Sequence, residues 1–257
     1  MTVRYLAGAL ALVAASSLAW PTYAQMTHEQ TAPAGPASAA PFGVSPVADE
    51  HIFYHVLLDQ LEGRFGVENS FRWQGEAWAG TDLNRIWLKS EGELSQGILN
   101  DGIQQLFYSR AISTYFDAQV GARYDLDSLP GRGWGALGIQ GLAPLFFKVA
   151  ATGYVSGEGH FAARLEASYD LLLTQRLILQ PQIEMNFYTK DDPARRIGSG
   201  LSSIDAGLRL RYEISRKFAP YFGVSYEGKF GGTASYAVAE GSPPNQVRFV
   251  LGLRTWW

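Results

Sequence analysis

Polar and apolar side chains alternate along this chain in one segment after another, and this period limits the folds that it can adopt. In the segment FRWQGEAWAG, one parity carries Arg72, Gln74 and Glu76, whereas the other carries Phe71 and Trp73. A period of two residues is typical of a β-strand, because successive side chains of a strand point to opposite faces. The sequence therefore predicts strands with one apolar face and one charged face.

About twelve such segments follow one another between residue 55 and the last residue. Short connections alternate with long ones, the longest being residues 189–200 and 231–245, and two segments, 102–111 and 132–141, alternate only weakly. Short turns on one rim and long loops on the other are typical of outer-membrane barrels with an even number of strands. The predicted strands are 55–65, 70–80, 83–94, 102–111, 114–125, 132–141, 146–155, 160–171, 175–188, 202–214, 218–229 and 246–257.

A soluble β-sandwich is the alternative fold, because its strands also have one apolar face. The other face argues against it, since many strands carry several ionisable groups of mixed sign there. In a bilayer only a closed barrel satisfies the hydrogen bonds of every strand. We therefore predict an all-β fold for residues 51–257: a transmembrane antiparallel up-and-down β-barrel of about 12 strands, in contact with outer-membrane lipid and located in the cell outer membrane.

The residues before the barrel divide into two segments. Residues 1–24 contain Arg4, the short apolar run YLAGALALVAA and small residues up to Ala24, an order typical of a signal peptide. The alternative is an N-terminal helix that is retained in the fold. Residues 25–50 are rich in proline and alanine and lack an apolar period, which predicts a flexible periplasmic linker. No later segment has the apolar run of about 18 residues that a membrane helix needs.

Composition excludes several classes of function. The chain has no cysteine, so it can form neither a disulfide nor a thiolate metal site. Its net charge of −3 gives no electrostatic reason to predict nucleic acid as a partner. No serine stands in a recognisable catalytic pattern with a histidine, and we therefore do not predict an enzyme.

The closing segment VRFVLGLRTWW reads as a final strand. Phe249 and Leu251 fall on one side of an extended chain, while Arg248 and Arg254 fall on the other. Trp257 is expected in a lipid-facing aromatic girdle. A C-terminal aromatic strand of this kind resembles the signal that the barrel-assembly machinery reads.

Residues 56–93 carry the most specific motif, DQLE followed by WQGEAWAGTDLNRIWLKSEG. This stretch resembles the copper resistance protein B family of outer-membrane barrels, and the likeness continues to the closing RFVLGLRTWW. The resemblance implies a role in copper resistance and homeostasis, in which the barrel binds copper ions or passes them across the outer membrane. It would act alone or with a periplasmic copper-binding protein. The alternative is a structural or general-diffusion barrel with only an indirect copper role.

Copper donors are few in this chain. Relatives commonly carry a Met- and His-rich segment ahead of the barrel, but the linker here offers only Met26 and His28, followed by His51 and His55 at the barrel entrance. Thioether and imidazole groups suit copper, so these four residues are the predicted metal donors and a copper ion is the expected cofactor. It remains open whether MTH is incidental tail sequence and whether His51 and His55 are simply solvated. Donors inside the barrel would be His160, Glu62, Glu91 and Glu93.

The charged parity of the strands allows two interpretations. The side chains can line a conduit, or they can pair with one another and fill the lumen without any transport. The sequence leaves both open. The residues concerned include Glu62, Arg64, Arg72, Glu76, Arg85, Lys89, Glu91 and Arg209.

Overall fold

The computed structural model describes residues 52–126 and 131–257. The predicted signal peptide (1–24), the predicted linker (25–50) and the predicted donors Met26, His28 and His51 lie outside the described residues.

The described residues form one antiparallel sheet that closes on itself as a barrel. Strands that follow one another along the chain pair, except that β8 and β9 both pair with β10, and the ring is completed where β1 pairs with β13. A 3₁₀ turn (Pro144–Phe146) and one helix, α1 (Gly231–Ala239), lie in connections. The strands are β1 (Phe53–Phe65), β2 (Ser70–Gly80), β3 (Asn84–Ser95), β4 (Ile98–Ala111), β5 (Phe116–Asp125), β6 (Arg132–Ala143), β7 (Phe147–Ser156), β8 (Phe161–Ser168), β9 (Leu171–Leu172), β10 (Leu177–Tyr188), β11 (Gly200–Tyr212), β12 (Phe218–Lys229) and β13 (Asn245–Trp256).

The short β9 does not count as a thirteenth strand of the barrel, because β8 and β9 both pair with β10 and together form one interrupted strand. The interruption lies at Tyr169 and Asp170, opposite Pro181 of β10. Proline has no N–H to donate, so Pro181 cannot donate a backbone hydrogen bond to the neighbouring strand. The hydrogen bond at this position runs the other way, from Tyr169 N–H to Pro181 O (3.1 Å). The prediction of a 12-stranded antiparallel barrel is confirmed.

The two rims of the barrel differ in the length of most of their connections, as predicted, with one exception. One rim, the short-turn rim, carries tight connections such as 112–115 and 173–176 together with both ends of the sheet. The other, the long-loop rim, carries the longest connections, 189–199 and 230–244. It also carries the two-residue turn Gln96–Gly97, because β4 begins at Ile98, four residues before its predicted start. The sequence did not predict α1, which lies in the connection 230–244. Within the described part of the chain, no helix is both long and apolar enough to cross a membrane.

Alternation along the strands separates the two faces of the barrel. Leu208 is 43 % exposed on the outer face, whereas its neighbour Arg209 is 2 % exposed inside. Most inward positions are polar, but the weakly alternating strands β4 and β6 place Phe107 and Trp134 in the interior, where they form an aromatic cluster with Trp87. Large rings on the inward parity explain why these two strands alternate poorly in sequence.

Candidate functional site

Arginines and carboxylates fill the lumen in the half of the barrel nearer the long-loop rim. We call this set the ion-pair layer. Most of its members are almost completely buried, and each arginine contacts at least one carboxylate. The layer consists of Arg64, Arg72, Arg164, Arg209 and Arg248 with Glu62, Glu91, Glu93, Glu184, Asp205 and Glu227.

Glu62 is the most enclosed member of the layer, with no exposed surface. Arg209 donates to both carboxylate oxygens, Nε to Oε2 and Nη2 to Oε1, each at 2.9 Å. Arg64 Nε also donates to Oε1 (2.9 Å), and the Tyr221 hydroxyl donates to Oε2 (3.0 Å). Four donated hydrogen bonds use the accepting capacity of this carboxylate, so Glu62 is poorly suited to hold a metal ion.

The other two interior carboxylates considered as copper donors are also engaged by arginine. Glu93 accepts from Arg248 Nη1 (2.8 Å) and from Arg64 Nη1 (3.4 Å). Glu91 accepts from Arg164 Nη1. A metal ion could replace these arginines only by leaving buried guanidinium groups without a counter-charge, which is costly.

Several contacts of the layer join strands that are not neighbours, and they therefore cross the lumen. Arg72 on β2 contacts Glu184 on β10 (3.5 Å), although β1, β13, β12 and β11 separate these strands on the shorter way round the ring. Arg164 on β8 contacts Glu91 on β3, with β4 to β7 between them. Such contacts run in both directions across the barrel, so the ion-pair layer spans the lumen at this level.

A cavity of about 490 Å³ lies between the ion-pair layer and the short-turn rim. It reaches that rim, because the turn residues Asp82 and Tyr115 line it. We call this cavity the rim chamber. Its wall mixes both signs of charge with amide groups and an indole, among them Gln74, Glu76, Arg85, Trp87, Lys89 and Glu166.

His55 is the one predicted copper donor within the described residues. It lies near the start of β1 at the short-turn rim, on the parity of Leu57, which lines the rim chamber. Its ring lies beside two indoles, 5.5 Å from Trp256 and 6.3 Å from Trp78 between ring centroids. The imidazole is therefore partly enclosed by aromatic rings rather than fully solvated.

The two described histidines do not come together. His160 precedes β8 at the long-loop rim, whereas His55 lies at the short-turn rim. Among residues 52–126 and 131–257, no group of three or more histidine, aspartate or glutamate side chains is arranged to hold a metal ion. The described part of the barrel thus contains single candidate donors, not a formed copper site.

Sequence analysis did not single out Trp87 as a chamber residue. Its parity matches that of Arg85 and Lys89, which were predicted to face inward, and this shared parity is the signal that could have identified it.

A family model and two relatives of known name match most of this chain. The family model described as Copper resistance protein B precursor (CopB) matches residues 52–257. "Copper resistance protein B" of Escherichia coli is 47% identical over 212 residues, which are 82% of this chain and 72% of the relative. "Copper resistance protein B homolog" of Pseudomonas syringae pv. tomato is 43% identical with the same coverage.

Among solved structures, the NanC porin is similar in fold, with a TM-score of 0.52 over 79% of this chain and 99% of the porin. The sequence identity is 12%, so this likeness bears on the barrel architecture alone.

Proposed function

Because this chain belongs to the copper resistance protein B family of the outer membrane, we propose that it contributes to copper resistance by binding copper ions directly, at the short-turn end of its barrel. The proposed donors are Met26, His28, His51 and His55, whose thioether and imidazole groups suit copper, with methionine favouring Cu(I). No catalytic step belongs to this proposal.

The observation that supports binding over open passage is that contacts such as Arg72–Glu184 and Arg164–Glu91 cross the lumen. An ion that enters from the short-turn rim meets His55 and the rim chamber before it meets a layer of paired charges. In bacterial outer-membrane barrels the short turns face the periplasm. A periplasmic copper-binding protein would therefore meet the barrel on the side where His55 lies.

The proposed site is weak. A flexible tail loses chain entropy when it closes around an ion, and only a few ligands offset that loss here. We expect copper to bind the purified full chain with modest affinity and to exchange readily. Such a site suits temporary retention of copper better than permanent storage.

A copper titration of purified protein in the presence of a chromophoric competitor tests the proposal. The test variant carries Met26→Leu, His28→Gln, His51→Gln and His55→Gln together, and it should lose competition for copper. The matched control, His160→Gln, removes a histidine at the opposite rim and should bind copper like the wild type. Undiminished copper binding by the fourfold variant would overturn the proposed donor set.

The alternative function, a structural or general-diffusion barrel with an indirect copper role, makes a different prediction in cells. Under our proposal, removal of residues 25–45 lowers copper tolerance only partly, because His51 and His55 remain. Loss of the whole chain lowers tolerance further and changes cell-associated copper. If a strain without the chain keeps both its copper tolerance and its copper content, the proposal that the chain binds copper for resistance is wrong.

A further inference from the structure

Three residues that line the rim chamber each carry a polar atom without a protein partner. Gln74 Oε1, Arg85 Nε and Trp87 Nε1 are buried atoms that have no hydrogen-bond partner among the described residues. The Glu76 carboxylate, on the same wall, makes neither an ion pair nor a hydrogen bond within that part of the chain. The other nitrogens of the Arg85 guanidinium are engaged, because Nη2 donates to Asp82 O (3.3 Å) and Nη1 lies 3.8 Å from Asp117 Oδ2. Trp87 is only 8 % exposed. Buried polar groups are nearly always hydrogen-bonded, so three such atoms beside the Glu76 carboxylate, around one cavity, indicate that it takes a polar occupant.

The four groups are sorted by chemistry along two neighbouring strands. The acceptors, Gln74 and Glu76, project from β2, and the donors, Arg85 and Trp87, project from β3. The strands pair so that Glu76 lies opposite Lys89. Trp87 is therefore two residues nearer to the short-turn rim than Glu76, an offset of about 7 Å along the strands.

This arrangement suits a ligand with an ammonium group at one end and a carboxylate at the other. The ammonium group would lie deep, against Glu76 and Gln74, while the carboxylate would accept from Arg85 and Trp87 nearer to the rim. A fully extended chain spans about 3.3–3.6 Å per residue, so two residues bridge an offset of about 7 Å. We propose that the rim chamber binds short zwitterionic peptides of about two residues.

Other features of the chamber agree with this ligand class. A simple anion would face the unpaired Glu76, and a simple cation would face Lys89, whose Nζ donates to Gln140 Oε1 (3.2 Å) and lies 5.7 Å from the centre of the Trp87 ring. A volume of about 490 Å³ is within the range of known small-molecule sites. The peptide proposal goes beyond copper binding and does not depend on it.

The test is calorimetric titration of the copper-free, purified full chain with alanyl-alanine. We expect saturable binding of this dipeptide, much weaker binding of free alanine, and no binding of N-acetyl-alanyl-alanine amide, which carries neither terminal charge. Equal affinity for the blocked and the free dipeptide, tighter binding of alanine, or the absence of saturable binding would each overturn the proposal.

Variants locate the site. Trp87→Phe removes the unpartnered indole N–H and keeps an aromatic ring, and Glu76→Gln removes the charge at nearly constant volume. Each should raise the dissociation constant for alanyl-alanine about tenfold. The control, Trp134→Phe, removes an indole N–H that already donates to Asp125 Oδ2 (2.7 Å) and does not line the chamber, so affinity should stay unchanged. If Trp87→Phe does not fold, Glu76→Gln still decides the question, and wild-type affinity in that variant contradicts the site.

Discussion

Glu62 shows how a single residue can hold several strands together. Its carboxylate lies on β1 and accepts hydrogen bonds from Arg209 of β11 and Tyr221 of β12, as well as from Arg64 of its own strand. Removing two charges from water is costly, and the cost is offset only where geometry and hydrogen bonding are good. With four donors within 3.0 Å, Glu62 meets that condition.

Arg209→Met should destabilise the barrel by about 3–5 kcal/mol, because it leaves the buried Glu62 with fewer counter-charges. Urea unfolding of the protein in lipid vesicles measures the change in the free energy of unfolding. The control, Arg110→Met, removes an exposed arginine from β4 and should change that free energy by less than about 0.5 kcal/mol.

A double variant checks that the effect comes from the pair. Glu62→Gln with Arg209→Met should cost less than the sum of the two single changes, because residues in one ion-pair network are energetically coupled. Strict additivity of the three values would show that Arg209 stabilises the barrel by some means other than its contact with Glu62.

Parity in the sequence predicted that Glu62 and Arg209 both point inward, but not that they meet. They are 147 positions apart, and their contact depends on how the ring closes and on the register of each strand. The aromatic neighbours of His55 could not be predicted for the same reason, because Trp256 contacts it only through the pairing of β1 with β13. Local patterns report which face a side chain occupies, whereas partners across the lumen follow from the whole ring.

At the scale of elements, a few polar contacts join α1 and the residue after it to the neighbouring long loop and to β11. Thr233 Oγ1 accepts from Gly198 N–H (2.8 Å) and shares a hydrogen bond with Ser202 Oγ (2.8 Å). Arg196 of the same loop pairs with Glu240, just after the helix. The helix therefore packs on the long-loop rim through a few polar contacts.

Thr233→Val should loosen α1 without affecting the strands. The change removes the oxygen that accepts from Gly198 and costs about 1 kcal/mol of local stability. Limited proteolysis should cut the 230–244 connection several times faster, while the barrel keeps its heat-modifiable mobility on gels. The matched control, Ser235→Ala, removes an exposed hydroxyl of the same helix and should leave the cleavage rate unchanged. Equal rates for the two variants would contradict the role of Thr233.

The ends of the strands were predicted to within a few residues. Charged side chains face the lumen and apolar ones face outward, so most strands show a clear two-residue alternation in sequence. The helix was not predicted, for a physical reason. It is short, its N-cap Phe230 provides no side-chain cap, and it contacts the barrel through few residues, so it has neither a capping signal nor an apolar stripe. The break between β8 and β9 was missed because its cause, Pro181, lies in the neighbouring strand.

At the scale of the whole molecule, the difference between the rims predicts an orientation in the outer membrane. Short turns of bacterial barrels face the periplasm, so residues 189–199 and 230–244 should lie outside the cell. Protease added to intact cells should cut these connections and spare residues 25–50. Cleavage in residues 25–50 under those conditions would reverse the orientation, and disrupted cells provide the control in which both regions are cut.

The ion-pair layer also has a consequence for conduction. Because its contacts cross the lumen, the wild-type barrel should show no steady open-pore current in planar bilayers. Replacing both members of a crossing pair, Arg72→Ala with Glu184→Ala, should open a measurable current without leaving an unpaired charge from that pair. The control pair, Lys148→Ala with Asp170→Ala, lies toward the short-turn rim and should stay silent. A wild-type current like that of an open porin would contradict closure.

The seam between β1 and β13 sets the order in which the barrel can form. Almost every other pairing joins strands that follow one another along the chain, so these hairpins can form soon after their turns. The seam instead joins Phe65 to Phe249 and Leu57 to Trp256, across nearly the whole sheet. Bringing such distant segments together carries the largest loop-closure entropy of the fold. We therefore expect formation of the β1–β13 pairing to be the slow step of folding. Until it forms, both edge strands can pair with another chain.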